Sequence, residues 1–328
     1  MPAHPIDTDA PLFVVLNATS GRHDAAEIRA TVEQAAGPQA SRLRWHVIER
    51  ARQVRPTAWH AAAQAARHGG MIVAAGGDGT INSVAQAAHT NGCPMGVLPL
   101  GTFNYFSRAH DIPQDPAEAV RVLLAPTVQP VQVAVVNEHL FLVNASVGLY
   151  PQLLEDREAY KSQYGRSRAV ALVSALVTLL RHQRQLRLQI EHAGGTRQVR
   201  TPTLFVGNNR LQLEQVGIPQ ASALDEGRVA AVMLRPVGTL TMLGLILRGA
   251  LGSLGDADSV ESFEFQRITV RTWSPYSGRQ VKVATDGEVT WMRSPLEFRV
   301  AAMPLYLAKP LAASASQEAA SVTPERAP

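Results

Sequence analysis

A single cysteine, Cys93, stands in 328 residues. It excludes an intrachain disulfide framework and any cysteine-based zinc cluster, and it fits a reducing cytosol. Aromatics make up only 5% of the chain, and Trp45, Trp59, Trp273 and Trp291 are scattered rather than grouped as a cage. The 10 histidines include no H-x-x-x-H or H-E-x-x-H spacing, so no metalloprotease pattern is present. Neither charge dominates: 31 Lys and Arg against 27 Asp and Glu leave a net +4. That excess is too small for a nucleic-acid footprint, though it suits an anionic surface. No apolar run reaches the roughly 20 residues that a membrane-spanning helix needs. The two best stretches, Ala169–Leu180 and Leu240–Leu251, are shorter. "MPAHPIDTDAP" lacks the basic and apolar regions of a signal peptide. The expected location is cytoplasmic, at most peripheral on a membrane; the basic run Arg181, Arg184 and Arg187 beside an apolar stretch could meet headgroups.

What is present is an alternation. "LFVVL" (Leu12–Leu16), "RWHVI" (Arg44–Ile48), Met71–Ala75 and "MGVLPL" (Met95–Leu100) read as buried strands. Helical spacing follows each, as at Ala25, Ile28, Val32 and Ala35, in Thr80–Ala88 and in Phe103–His110. Repeated β-α units predict a parallel sheet covered on both faces. From Val131 onward strands dominate: Val131–Val136, Leu140–Ser146, Leu186–Glu191, Leu204–Val206, Val229–Leu234, Phe263–Arg271, Gln280–Ala284 and Leu296–Val300. Two helical stretches, Gln152–Arg184 and Gly238–Leu251, interrupt them. The expected organisation is an α/β domain over 1–130, an antiparallel β-rich domain over 131–308 and a small, polar, disordered tail over 309–328.

Between the strand Met71–Ala75 and its helix stands "GGDGT", residues Gly76, Gly77, Asp78, Gly79 and Thr80. Glycines permit positive φ and close approach of a ligand to the backbone. The helix start adds free N–H groups and a positive dipole end, which together form an anion site. Thr80 suits a cap or a phosphate contact. Asp78 would repel phosphate unless a cation lay between them. It therefore suits Mg²⁺, a ribose or substrate hydroxyl, or the plain role of a helix cap. The stretch matches neither the Walker A nor the dinucleotide pattern.

The loop has company. "LNATSGR" (Leu16–Arg22), "GGDGTIN" (Gly76–Asn82), "LPLGTFNYFSR" (Leu98–Arg108), "VGNN" (Val206–Asn209), "ALDEGRV" (Ala223–Val229) and "TDGEV" (Thr285–Val289) occur in this order. As an ordered set they make the chain, over about residues 11–305, resemble the diacylglycerol kinase catalytic family. The likeness is to its soluble bacterial lipid kinases, relatives of sphingosine kinases and, more distantly, NAD kinases. The resemblance implies an NAD kinase/diacylglycerol kinase-like α/β domain with a parallel sheet, followed by an antiparallel β-sandwich-like domain. ATP and a lipid alcohol would meet in the cleft between them.

The resemblance also implies roles. Gly76–Thr80, with Asn82, form the nucleotide-phosphate loop. Asn17, Ser20, Gly21 and Arg22 match the family's first loop, with Ala18 where Pro is usual. Thr102 matches the threonine of Gly-Thr-x-Asn-Asp-Phe-Ala, a nucleotide contact; Tyr105 stands where that motif has Asp. Glu288, in Asp286-Gly287-Glu288, corresponds to the general base for the substrate hydroxyl, and Asp78 is the second catalytic carboxylate. Asp-Gly is also a strong hairpin signal by itself. Glu226, with the carbonyls of Ala223 and Arg228, matches a Mg²⁺ site whose carboxylate is usually Asp. The implied cofactors are ATP and Mg²⁺. The implied activity is phosphorylation of a lipid hydroxyl, diacylglycerol first. The alternatives are a kinase for a sphingoid base or other alcohol, or a nucleotide- or lipid-binding sensor that has lost activity, which Tyr105 motivates.

Overall fold

The computed structural model describes residues 7, 9–18, 24–149, 151, 154, 185–192, 194–238, 241–242, 244–245, 248, 251–272 and 280–311. The expected helix at Gln152–Arg184, residues 312–328 of the expected tail and parts of Gly238–Leu251 lie outside them.

The apolar runs become parallel strands: β1 (Leu12–Asn17), β2 (Leu43–Ile48), β3 (Met71–Gly76) and β4 (Met95–Pro99). Every residue of β1, β3 and β4 is buried, because helices cover both faces of the sheet. Alternate side chains feed two cores. Phe13, Val15, Ile72 and Ala74 pack with α2 (Val54–Arg67) and α3 (Asp78–Asn91). Leu12, Val14, Met71 and Val73 pack with α1 (Ala25–Ala36) and α5 (Pro116–Leu124). Asp24 caps α1 and Asp115 caps α5 through backbone N–H groups, while Gly92 ends α3 in the left-handed region. The expected helix at Phe103–His110 is the short α4 (Tyr105–Ala109).

The sheet is completed from far along the chain. Its order is β2-β1-β3-β4-β18-β5, where β5 is Thr127–Val131 and β18 is Leu305–Lys309. This last strand, which the sequence reading did not expect and whose segment it assigned mostly to the second domain, therefore lies inside the first domain's sheet. It runs parallel to β4 and antiparallel to β5. Its short alternating sequence carries no mark of its partner, which only the return of the chain determines.

The second domain is two antiparallel sheets around a shared apolar core that includes Phe141, Val206, Val270 and Phe298. One has β6 (Ala134–Val136), β7 (His139–Phe141), β9 (Leu186–His192), β10 (Gly195–Thr201), β14 (Arg267–Thr272) and β17 (Leu296–Val300). The other has β8 (Asn144–Gly148), β11 (Thr203–Gly207), β12 (Val229–Leu234), β13 (Val260–Phe265), β15 (Gln280–Thr285) and β16 (Glu288–Arg293). Three expected single strands are each split. Val131–Val136 becomes β5 and β6, Leu140–Ser146 becomes β7 and β8, and Phe263–Arg271 becomes β13 and β14. At each split the chain changes sheets, and an apolar run reads the same whichever sheet it joins. Val133, Val135, Leu140 and Leu142 join the cluster beneath α2 and α3, so the two domains share an apolar interface.

Candidate active site

The strand order β2-β1-β3-β4 means that the chain leaves β1 toward one side and β3 toward the other. In open α/β sheets a ligand crevice lies at such a switch point, beyond the carboxyl ends of the strands. Asn17 ends β1, and its Nδ2 donates to Thr80 Oγ1 at 2.9 Å across that point. Both side chains are buried. Ser20, Gly21 and Arg22 lie outside the described residues.

Gly76 ends β3, Gly77 caps α3 in an extended conformation (φ −86, ψ −176), and Asp78 begins the helix. None of Gly76, Gly77, Gly79 and Gly101 has a positive φ. Closeness, rather than a left-handed turn, makes these positions small. A Cβ on Gly76 would lie 2.6 Å from Thr80 Oγ1, and one on Gly101 would lie 2.7 Å from Gly77 Cα. A Cβ on Gly79 would lie 3.1 Å from Glu288 Oε1. Three parts of the chain thus meet at the start of α3, where N–H groups and the helix dipole favour an anion.

Asp78 braces the neighbouring loop. Its Oδ2 accepts the Asn104 N–H at 3.1 Å, and Oδ1 is buried without a hydrogen-bond partner among the described residues. Burial pushes its pKa up, opposed by the N–H groups of Asn104, Tyr105, Asp78 itself and Phe106. Those donors temper the charge that would otherwise repel a phosphate at this helix end. The orphaned Oδ1 is the atom that fits a water or a cation arriving with such a phosphate.

Asn104, absent from the expected site, organises this second loop. It has φ 50, a region where asparagine is enriched. Its Oδ1 accepts the Gly101 N–H at 3.1 Å, and its Nδ2 donates to the Gly101 carbonyl at 3.0 Å and Gln114 Oε1 at 2.9 Å. Thr102 is exposed on the same loop. Tyr105 is half-buried against the core and stacks on Phe103 with centroids 6.0 Å apart. Tyr105 itself brings no carboxylate to the place where the family motif has one. Asn209 Nδ2 donates to the Tyr105 carbonyl at 3.1 Å, so "VGNN" ties the second domain to this loop.

Asp286 (φ 47) and Gly287 (φ 89) form the two-residue turn between β15 and β16, closed by the Thr285–Glu288 pair. Two positive φ values are what a tight hairpin of this kind requires. This hairpin turn carries Glu288 onto Gly79. Glu288 is solvent-accessible, yet protein crowds its carboxylate. That partial desolvation pushes its pKa up, opposed by the Arg55 charge.

Asp286 itself is a carboxylate that the sequence reading left without a role, and it is fully hydrogen-bonded. Oδ1 accepts the N–H groups of Val143 at 2.8 Å and Asn144 at 2.9 Å. Oδ2 accepts Leu142 N–H at 2.7 Å and Asn82 Nδ2 at 2.6 Å. Burial raises its pKa, and these four donors pull the other way. Asn82, expected in the phosphate loop, points to the second domain instead, and also donates to the Leu140 carbonyl at 3.1 Å. Its position one turn into α3 carries it past the helix end.

The expected second metal site does not fit a cation. Glu226 is exposed and ion-paired with Arg228, which also pairs with Glu264. The Ala223 carbonyl accepts the Arg228 N–H at 3.1 Å, and the Arg228 carbonyl accepts Gln132 Nε2 at 3.1 Å. A guanidinium and two N–H donors already occupy the oxygens a hard cation would need. Accordingly, Glu226→Gln should leave activity within about twofold of the parent, because an exposed ion pair contributes little. A loss beyond about tenfold, at unchanged melting temperature and reversed by added Mg²⁺, would restore the metal reading.

The fold is similar to that of a crystal structure of a diacylglycerol kinase from Bacillus anthracis str. Sterne. The two superpose with a TM-score of 0.64 at 18% identity, over 92% of this chain and 97% of that one. At this identity the likeness shows the fold. Residues 11–136 match the model of the diacylglycerol kinase catalytic domain. Over these residues the chain is similar to the diacylglycerol kinase catalytic family. Among curated relatives it is 42% identical to a YegS-like lipid kinase homologue of Klebsiella pneumoniae (strain 342) over 79 residues, 24% of this chain and 27% of that protein. It is 31% identical to a YegS-like relative from Serratia proteamaculans (strain 568) over 42% of this chain and 45% of that protein. It is 29% identical to a diacylglycerol kinase of Staphylococcus aureus (strain JH9) over 66% of this chain and 68% of that protein. The chain thus spans less than half the length of the two YegS-like relatives it matches.

Proposed function

We propose that the protein is a lipid kinase that transfers the γ-phosphoryl group of ATP to a lipid hydroxyl, diacylglycerol being the first acceptor to test. The observation that carries the reading is the Glu288 carboxylate lying over Gly79 at the start of α3. The helix start receives the terminal phosphates, with Gly77, Gly79 and the exposed Thr102 around them. A substrate hydroxyl lies between the γ-phosphate and Glu288. Glu288 takes the hydroxyl proton as the oxygen bonds to the γ-phosphorus, and the bond from that phosphorus to the β-phosphate oxygen breaks, releasing ADP. Asp78 Oδ1 would hold Mg²⁺, directly or through water, and the ion would neutralise charge on the transferring phosphates. Asn17 and Asn104 fix the two loops beside the nucleotide rather than reacting.

Among the described residues no helix is long and apolar enough to cross a membrane. The protein meets a lipid acceptor at the bilayer surface. The test is purified protein with ATP, Mg²⁺ and diacylglycerol, sphingoid base or other lipid alcohols in mixed micelles. Formation of phosphatidic acid is expected. Preference for another acceptor would change the substrate. Nucleotide binding with transfer to none would favour the sensor reading, the one that Tyr105 in place of an acid supports.

A further inference from the structure

We propose that Asn82 and Asp286 are a positioning pair, whose contact across the domain boundary holds Glu288 over the glycine loop. The inference rests on Glu288 being the base. Only Gly287 separates Asp286 from Glu288, so whatever fixes the Asp286 carboxylate fixes the start of β16.

Within the second domain the turn is held by the three N–H groups of residues 142–144 and by the Asp286 N–H, which donates to the Asn144 carbonyl at 2.9 Å. From the first domain, the one side chain among the described residues that reaches Asp286 is Asn82. It stands three residues after Gly79, on the same face of α3. The helix that offers its N-terminus to phosphate therefore also grips the turn that carries the base. A hydrogen bond to a carboxylate is of the strong, charge-assisted class, and it is directional.

Two further residues continue this face of α3. Gln86 Oε1 accepts the Leu140 N–H at 2.8 Å, and His89 Nε2 donates to the Met303 carbonyl at 2.9 Å. They dock the domains without touching Asp286. Removing Asn82 should therefore leave the domains docked and loosen only the turn. A misplacement of about 1 Å at a reacting group can cost about 10²-fold in rate. Asn82 is a positioning residue in this reading, and not a nucleotide contact.

A double-mutant cycle tests it. Asn82→Ala should lower kcat by about 10–10²-fold, with KM for ATP within about threefold. In a Glu288→Gln background the same substitution should change kcat by less than about twofold, because the group it positions no longer acts. Gln86→Ala, the docking control, should have far less effect on kcat. Additive losses in the cycle would overturn the inference while leaving the base intact. A raised KM for ATP at unchanged kcat would overturn it in favour of a nucleotide contact. Parent-like kcat in Glu288→Gln would overturn the base reading itself. If Asn82→Ala does not fold, Asn82→Ser, too short to reach Asp286, takes its place. Amide hydrogen exchange of the segment 285–289 gives a readout independent of turnover. Exchange should quicken there in the Asn82 variant and not in Gln86→Ala; unchanged exchange would overturn the inference even in a protein that transfers nothing.

Discussion

Glu288→Gln should lower kcat for phosphate transfer by about 10²–10⁴-fold, the usual worth of general-base assistance, with ATP affinity barely changed. Glutamine keeps the shape and one acceptor oxygen but takes no proton at neutral pH. The carboxylate lies against Gly79, on the helix whose N-terminus would receive the phosphates, so no other group needs to move to expose the defect. The pH profile provides a second measurement. A base works deprotonated, and activity is lost as pH falls through its pKa. Burial raises the Glu288 pKa, so the acid limb of kcat/KM should lie above the ordinary glutamate value of about 4.3. Arg55 opposes that rise, so Arg55→Gln should move the limb further up. Glu288→Gln should abolish the limb. A limb unmoved in Glu288→Gln, or near-parental kcat, would send the search for the base elsewhere among the groups bordering the glycine loop.

Ending the chain before Leu305 should abolish the fold rather than trim it. β18 lies between β4 and β5, and Leu305, Leu307 and Ala308 are each about 1% exposed or less. Leu307 belongs to the core beneath α2 and α3, and Ala308 to the core beneath α1 and α5. Burying each leucine is worth about 1.5–3 kcal/mol. Removing the strand also opens two rows of backbone groups within the sheet, and a missing partner for a buried group costs about 1–3 kcal/mol each. The sum rivals the whole stability of a typical domain, about 5–15 kcal/mol. A thermal melt should show no cooperative transition, and residues 1–130 expressed alone should fail in the same way. A truncated chain with a sharp melt near the parent's would show that β5 closes the sheet directly on β4.

The glycine loop, the first strands and the division into a parallel and an antiparallel half were legible in the sequence. Each rests on local physics. Leu12–Leu16 and Met71–Ala75 are continuous apolar runs because both faces of their sheet are covered, and Gly76-Gly77-Asp78 can only be a turn into a helix. Glu288 was a candidate only through the resemblance of the ordered motif set, since Asp-Gly-Glu by itself reads as a hairpin, and its partner across the boundary was not legible. Three features needed the tertiary structure. The last strand was missed, and its partner with it, because five residues at Leu305–Lys309 give no local sign of a sheet until the chain returns to β4. The role of Asn82 was hidden because one turn of helix decides whether a side chain faces the phosphate end or the second domain. The Glu226 site looked suited to a cation until Arg228 proved to hold the carboxylate. Local sequence dictates which elements form and where a loop must be small. Which hydrogen bonds buried groups such as Asp286 make, and which charge neutralises which, depend on contacts between residues far apart in the chain, and those exist only once the two domains have packed.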